Sequence, residues 1–351
     1  MVKPRVAIVG AGVSGLAAAW QLRNAPVEVA VFDKSRGVSG RAASRTRNGA
    51  RFDFGANYFK LEDPELAQLV LHTLSGKGLV SIEKEVWTFD ADGRISPGDP
   101  VQNRQTRWTY SSGISTLGKQ LAAASGVDVK PATRISSLQC SQDGWMLQAE
   151  GPATACETAF DAVLLTPPAP QVRDILAASE LGEIDGGDLD RALSCALYHQ
   201  QLCFALAFSA PLEHQHACFA LINIDRGHDI AWLSFENDKP GRELGGCSVI
   251  MVQMSPDWSR RHFDNPPDRL VAEVSRAALS LLDLPDRGVD WFDCQRWRFA
   301  HPYEPADAAG LALGEEAGLF FAGDALVGKG RVGEAMVTGL RAADLIISRL
   351  A

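Results

Sequence analysis

The chain has 351 residues, 46% of them hydrophobic and 22% charged, so it can bury a sizeable core in one or two domains. Its formal net charge of −9 argues against broad binding of nucleic acid or of an anionic membrane surface, since both favour a basic face. No apolar run reaches the roughly 18 residues that a membrane-spanning helix needs.

The first predicted element is a βαβ unit. An apolar strand pattern meets three glycines with GxGxxG spacing, Gly10, Gly12 and Gly15, and an Ala-rich helix pattern follows. A second apolar run ends at Asp33. This order predicts dinucleotide binding, in which Gly10 permits the tight turn, Gly12 lets the backbone approach a pyrophosphate and Gly15 lets the helix lie close to the strand. Asp33 would accept hydrogen bonds from a ribose.

The later elements follow from hydrophobic periodicity and turn residues. The first half predicts helix 64–73, hairpin 85–94, helix 113–124, strand 127–129, a strand meander within 134–160 and a buried strand 162–165. A Gly- and Asp-rich stretch at 182–190 indicates a crossing into a second domain. The second half predicts strands 202–208, 217–224, 229–235 and 248–254, helix 267–282, strand 318–322 and a final helix 334–350.

Three further segments resemble signatures of the flavin amine oxidase superfamily. They are Gly40-Arg41 shortly after the acid, Gly55-Ala56-Asn57 within an aromatic segment, and the distant Gly323-Asp324. The resemblance implies non-covalent FAD, with Arg41 at the pyrophosphate, Gly55-Ala56 beside the isoalloxazine and Asp324 at the ribityl chain or pyrophosphate. The residues it places at FAD are Gly10, Gly12, Gly15, Asp33, Lys34, Gly40, Arg41, Gly55, Ala56, Asn57, Arg134, Gly323, Asp324, Gly333, Glu334, Ala335 and Met336.

The last helix has a predicted electrostatic role. The N–H groups that follow Gly333 would point at the flavin pyrimidine ring, where reduced flavin gathers negative charge. Glu334 would either cap this helix or lie near the flavin; capping is the preferred interpretation.

Within the superfamily the chain is most similar to renalase and its bacterial relatives. The similar blocks are 55–59, 231–233 with 238–242, 256–259 and 296–300. Two residues depart from the family pattern: Ser39 replaces a frequent glycine, and Asn57 replaces glutamine.

The renalase-like resemblance implies oxidation of aberrant dihydronicotinamide dinucleotides. Hydride would pass from the dihydropyridine to flavin N5, and O2 would then reoxidise the flavin to give NAD(P)+ and H2O2. Little acid–base chemistry is needed, so the site should be rich in aromatic and amide side chains. The catalytic candidates are Asn57, Tyr58 and Arg298, and the substrate-binding candidates are Phe59, Trp232, Lys239, Arg242 and Arg296.

The predicted fold is α/β: a Rossmann-like FAD-binding domain of the GR2 or p-hydroxybenzoate-hydroxylase type with an inserted α+β domain on a mainly antiparallel sheet. The FAD-binding domain would comprise 1–62, 113–170 and 290–351, and the substrate domain 63–112 and 171–289.

Three other interpretations stay open. The protein could be an FAD-dependent amine oxidase or desaturase of the same superfamily, or a non-catalytic FAD- or NAD(P)-binding module. An NAD-linked dehydrogenase would leave Gly40-Arg41 and Gly323-Asp324 unexplained. Arg296 and Arg298 could equally form domain-interface salt bridges.

Cysteine and histidine usage completes the sequence-based expectations. The seven cysteines form no CxxC pair, and the chain starts directly with a strand pattern, which favours reduced packing thiols in a cytoplasmic protein. The pair His214 and His216 has no third ligand of fitting spacing, so no metal site is expected.

Overall fold

The computed structural model describes residues 3–74, 76–150, 158–209, 211–212 and 215–351. Cys156, His214 and the 151–157 part of the predicted meander lie outside these residues. The strands are β1 Arg5–Val9, β2 Glu28–Phe32, β3 Ser44–Arg47, β4 Ala50–Asp53, β5 Leu79–Ile82, β6 Glu85–Phe89, β7 Ile95–Ser96, β8 Arg107–Tyr110, β9 Asp128–Lys130, β10 Ile135–Ser141, β11 Gly144–Ala149, β12 Ala162–Leu165, β13 Leu197–Phe208, β14 Cys218–Asn223, β15 Ile230–Phe235, β16 Ser248–Met254, β17 Trp291–Glu304 and β18 Leu319–Phe321.

Among the described residues, α-helices form at the five predicted positions and at five further positions where the sequence predicts none. They are α1 Val13–Leu22, α2 Pro64–Gln68 with a π-helical turn Leu69–Thr73, α3 Pro100–Asn103, α4 Thr116–Ser125, α5 Ala169–Ala177, α6 Gly186–Ser194, α7 Pro256–His262, α8 Pro267–Leu281, α9 Ala308–Ala312 and α10 Val332–Leu350.

A five-stranded parallel sheet brings the start, middle and end of the chain together. Its order is β18-β12-β1-β2-β9, and every neighbouring pair is parallel. Successive side chains of β1 point to opposite faces. Val6 and Ile8 join the core with α1, α4 and α10, whereas Ala7 and Val9 join the core with α5 and α6. Burial on both faces explains why this strand is apolar throughout.

The second sheet has seven strands in the order β17-β13-β16-β15-β14-β6-β7. All its pairs are antiparallel except β6 with β14, which confirms the mainly antiparallel sheet. One face carries α7 and α8, where Trp258, Leu270 and Val274 share a core with Phe204 and Leu206 of β13. The α/β fold class predicted from the sequence is therefore confirmed.

Two predicted domain bounds are misplaced. Strand β17 lies at 291–304, inside the predicted FAD-binding segment, yet it pairs with β13 in the second sheet. The segment from 171 onward is predicted to belong to the substrate domain, but it forms most of α5 and all of α6, and Val172, Leu189 and Leu193 share a core with Ala7 and Val9 of the parallel sheet. The Gly- and Asp-rich stretch forms the start of α6. Asp185 is the N-cap residue of this helix, and its side chain accepts a hydrogen bond from the Gly187 N–H. Local composition does not show which sheet a segment joins.

Candidate active site

A cavity of about 2650 Å³ is lined by residues of both sheets. A drug-sized ligand occupies a pocket of roughly 300–1,000 Å³, so this cavity has room for more than one such molecule. Most sequence-predicted site residues line it, namely Gly10, Gly12, Asp33, Lys34, Gly40, Arg41, Gly55, Ala56, Asn57, Tyr58, Phe59, Arg134, Trp232, Arg296, Arg298, Gly323, Asp324, Gly333, Glu334 and Ala335.

Four predicted site residues do not line the cavity: Gly15, Met336, Lys239 and Arg242. Gly15 has the packing role foreseen for it, because a Cβ atom there would lie 2.1 Å from the Gly10 carbonyl oxygen. Met336 is fully buried in the core under the parallel sheet, on the inner side of α10. A cofactor contact of its side chain is therefore not supported by the structure.

The glycine loop presents helix α1 to the cavity. Gly12 is its N-cap residue, and no side chain caps the helix. A Cβ at Gly12 would meet no heavy atom within 4 Å, so the backbone is open on this side. Asp33 is fixed at the end of β2, where its carboxylate accepts hydrogen bonds from the N–H groups of Ala11 at 2.6 Å and Ser35 at 2.7 Å. Uncapped helical N–H groups in this setting bind phosphate oxygens.

Arg41 and Asp324 connect the two distant signatures directly. Two guanidinium nitrogens of Arg41 donate to the two carboxylate oxygens of Asp324, each at 2.7 Å. The Tyr198 hydroxyl also donates to Asp324, at 3.2 Å. Gly323 precedes the acid with φ +124°, which a residue with a side chain rarely adopts, so glycine is needed there. The geometry fixes both charged groups at the cavity wall.

Helix α10 is the second uncapped helix at the cavity. Its N-cap residue is Arg331, and no side-chain hydrogen bond caps it. Glu334 lies in the first turn and lines the cavity, and no hydrogen bond from its side chain caps the helix. A Cβ at Gly333 would lie 2.7 Å from the Lys60 carbonyl oxygen, so the helix start touches segment 57–60.

The residues present fit an FAD molecule. Two uncapped helix N-termini, the open backbone at Gly12 and the guanidinium of Arg41 all border one cavity. These groups suit a diphosphate and an electron-rich ring, which both carry negative charge.

Comparison with known proteins agrees with this geometry. The model of an NAD(P)-binding Rossmann-like domain matches residues 8–72, and the model of the flavin containing amine oxidoreductases matches residues 99–347, more than half of the chain. The chain therefore belongs to the family of flavin containing amine oxidoreductases, which are FAD-dependent oxidoreductases, and its cofactor is FAD.

Individual relatives support the fold but do not identify the substrate. Protoporphyrinogen oxidase 2 of Arabidopsis thaliana is 46% identical over 66 residues, which are 19% of this chain and only 13% of that protein. A crystal structure assigned as a protoporphyrinogen oxidase from Exiguobacterium sp. 255-15 covers 99% of both chains with a TM-score of 0.79 at 13% identity. Cyclohexylamine oxidase from Brevibacterium oxydans covers 99% of this chain and 100% of that chain, with a TM-score of 0.76 at 14% identity.

The segment Phe54–Tyr58 is held from the second sheet. Trp297 Nε1 donates to the Phe54 carbonyl at 2.9 Å, and the two rings stack with centroids 5.7 Å apart. Gln253 Nε2 donates to the Gly55 carbonyl at 3.0 Å, and the Ser234 hydroxyl donates to the Asn57 side-chain oxygen at 3.0 Å. Asn57, the departure from the family pattern, is thus oriented by a buried serine.

An aromatic wall continues from this segment. The Tyr58 and Trp232 rings lie 6.1 Å apart, and Phe219 contacts both at 6.4 and 6.3 Å. Burial raises the pKa of Tyr58 above its ordinary value, so the phenol stays protonated at neutral pH. Burial also lowers the pKa of His301 in the cavity lining to about 4, so this ring is neutral at pH 7.

Lys239 and Arg242, predicted to bind the substrate, form a buried ion cluster instead. The Lys239 ammonium donates to Asp53 at 2.9 Å and to Glu236 at 2.5 Å. Arg242 binds both oxygens of Asp53, at 3.1 and 2.7 Å. All four side chains are 0% exposed, so the lysine and arginine are committed to carboxylates rather than to a ligand.

Within the described part of the chain, eight cations that line the cavity were not predicted from the sequence: Arg45, Arg51, Lys60, Arg107, Lys119, Arg226, Arg331 and Arg341. Two of them could have been found from the sequence, because Lys60 directly follows the aromatic segment and Arg331 directly precedes the last helix. Arg296, in contrast, donates to the carbonyls of Phe263 at 2.8 Å and Asn265 at 2.6 Å.

Other expectations concern metals, membranes and thiols. Across the part of the chain that the structure describes, no group of three His, Cys, Asp or Glu side chains could hold a metal ion. None of the helices in that part is long and apolar enough to cross a membrane. The six described cysteines are free; burial raises the pKa of Cys218 and Cys294 to about 12, whereas Cys195 is exposed and departs from the expected packing role.

Proposed function

We propose that this protein is a renalase-like oxidase that removes hydride from aberrant dihydronicotinamide dinucleotides, the 2- or 6-dihydro isomers of NAD(P)H. FAD, when bound, supplies a hydride acceptor at N5 that O2 can reoxidise. Overall, one dihydropyridine, one proton and one O2 give one NAD(P)+ and one H2O2. The proposal takes FAD as non-covalently held; none of the described lining residues is a cysteine.

The charge of the substrate half of the cavity carries the proposal. We define this half as the lining residues of segments 57–63 and 86–107, the seven-stranded sheet with its loops, and Arg331. Its cations are Lys60, Arg107, Arg226, Arg296, Arg298 and Arg331, and its carboxylates are Glu62, Asp63 and Asp99, with Glu334 three residues beyond Arg331. Such a surplus of positive charge attracts a diphosphate and repels an ammonium group. A cationic amine is therefore the less suitable substrate.

The remaining lining suits ring positioning rather than proton transfer. A dihydropyridine gains aromaticity when hydride leaves, so the protein needs chiefly to hold the ring at near-contact distance, on the order of 3–3.5 Å. In this proposal Asn57 and Tyr58 orient the ring, Phe59 and Trp232 belong to the surrounding aromatic wall, and Arg298 binds an anionic group of the substrate. The hydrogen bond from Ser234 to Asn57 supports a fixed orientation of that amide.

Amine oxidation is the second candidate, favoured by the similarity in fold to cyclohexylamine oxidase. A substrate panel under air distinguishes the two. Partly isomerised NADH, ordinary NADH, benzylamine and a polyamine are each mixed with the FAD-loaded enzyme, and O2 uptake and H2O2 release are recorded. We expect equimolar O2 uptake and H2O2 release only with isomerised NADH. Turnover of an amine without turnover of the isomers would establish the amine oxidase, and no turnover at all would favour a binding module.

A further inference from the structure

Arg107 is a buried cation without an anionic partner among the described residues. It lies on β8, is 4% exposed and lines the substrate half of the cavity. Its hydrogen-bond acceptors are all uncharged: the backbone and side-chain oxygens of Asn103 at 3.4 and 3.3 Å, and the Lys84 carbonyl at 2.9 Å. Its Nε is buried and unpartnered within the described part of the chain. Burial of a guanidinium without a counter-charge has a large desolvation penalty. Binding of an anionic ligand beside Arg107 would offset that penalty.

A second cation lies beside Arg107. Phe59 and Trp108 exchange two backbone hydrogen bonds, at 2.9 and 2.8 Å, and this bridge brings Lys60 alongside Arg107. Like charges in that relation repel each other. The Lys60 ammonium also has uncharged partners, the side-chain oxygens of Gln102 and Gln105.

A third cation completes the set. Arg331 directly precedes α10, whose start contacts the Lys60 backbone through Gly333. Burial lowers the pKa of Lys60; Glu62 opposes the shift, and Arg331 and Arg107 add to it. The uncapped N-terminus of α10 adds a partial positive charge, which Glu334 in its first turn opposes.

The carboxylates of this half of the cavity offer little compensation. Asp63 accepts from the Leu66 N–H at 2.9 Å, and Asp99 accepts from the Val101 N–H at 2.8 Å, so both are engaged as helix caps. Glu62 and Glu334, which lies in the first turn of α10, are the remaining acids beside the three cations. Within the described residues, the hydrogen-bond acceptors of Arg107, Lys60 and Arg331 are all uncharged oxygens, so none of these carboxylates forms an ion pair with the three cations.

We propose that Arg107, Lys60 and Arg331 form an anion-binding subsite beside Tyr58, and that this subsite binds a phosphate group of the substrate. The inference rests on the proposed function for the identity of the substrate. The phosphates of FAD are expected in the other half of the cavity, at Gly12 and Arg41. The subsite thus places the diphosphate of the substrate on the side of the aromatic wall where Arg107 and Lys60 lie.

The test uses the FAD-loaded enzyme and inorganic pyrophosphate as the probe. Isothermal titration measures pyrophosphate affinity in the wild type and in Arg107→Gln, Lys60→Gln and Arg331→Gln. Arg104→Gln is the matched control, because Arg104 is exposed, lies nearby in sequence and does not line the cavity. Bound FAD per chain is measured in every variant. Because Arg331 is exposed, Arg331→Gln should fold normally. Its result therefore tests the subsite even if Arg107→Gln fails to fold.

We expect wild-type binding that Arg107→Gln weakens about tenfold or more, and Arg331→Gln about threefold, because hydrogen bonds to a charged group outweigh an exposed ion pair. Arg104→Gln should bind pyrophosphate like the wild type, and FAD content should stay normal. The subsite is refuted if the wild type does not bind pyrophosphate or if all four variants bind it equally. FAD loss in Arg107→Gln and Arg331→Gln would assign these cations to the cofactor and overturn the proposal. Pyrophosphate binding as expected, with no oxidation of the dihydro isomers, would support the subsite and refute the proposed function instead.

Discussion

Substitution of Lys239 in the buried ion cluster distinguishes a structural role of this residue from a substrate-binding role. Lys239→Met removes two charge-assisted hydrogen bonds, to Asp53 and to Glu236, at a site with 0% exposure. Each such bond contributes about 1.5–3 kcal/mol. The variant leaves two carboxylates with one guanidinium, and proton uptake by Glu236, whose pKa burial raises, relieves part of the imbalance. Breaking a buried pair typically costs about 3–5 kcal/mol, which is the loss we expect.

Thermal unfolding of the FAD-loaded enzyme, followed by tryptophan fluorescence, measures this loss. At about 1.4 °C per kcal/mol for a chain of this size, Tm should fall by roughly 4–7 °C. Lys77→Met is the matched control, because Lys77 is exposed, and it should change stability by less than about 0.5 kcal/mol. The KM for the dihydro dinucleotide should stay near that of the wild type. A tenfold higher KM with an unchanged Tm would refute the reasoning and restore Lys239 as a substrate ligand.

Three further predictions concern cofactor, substrate and pH. Arg41→Ala should raise the Kd for FAD tenfold or more, measured as flavin retained after gel filtration, whereas Arg36→Ala, an exposed neighbour outside the cavity, should retain it. Arg298→Ala should raise KM about tenfold at nearly unchanged kcat; unaltered turnover at low substrate would remove its assigned role. Burial alone would raise the pKa of Asp53, but Lys239 and Arg242 hold it well below its usual range. Its contribution to stability is therefore present above an unfolded pKa of about 3.9 and lost as pH falls toward the folded value, so acid titration should unfold Lys239→Met at a higher pH than wild type.

Local patterns predicted the nucleotide-binding half well. Apolar runs that end in glycines located β1 and β18, and the Gly10–Gly15 spacing located the N-terminus of α1, because these features depend on neighbouring residues alone. The Gly323-Asp324 pair, recognised by resemblance, lies against Arg41 across the fold.

The substrate half was predicted less well because its charges depend on partners far apart in sequence. Nothing local shows that Lys239 meets Asp53, 186 positions away, whereas Arg107 has only uncharged acceptors. The bound at 290 failed for the same reason, since strand pairing between β13 and β17 decides which sheet that segment joins.

An anaerobic half-reaction measures hydride transfer from the dihydro isomers to FAD by itself, without reoxidation. The FAD-loaded enzyme is mixed without O2 with isomerised NADH, and the visible flavin absorbance is followed against ordinary NADH. We predict rapid and complete bleaching by the isomers and slow or no bleaching by NADH. Equal bleaching by both, or bleaching by a simple amine alone, would contradict the account.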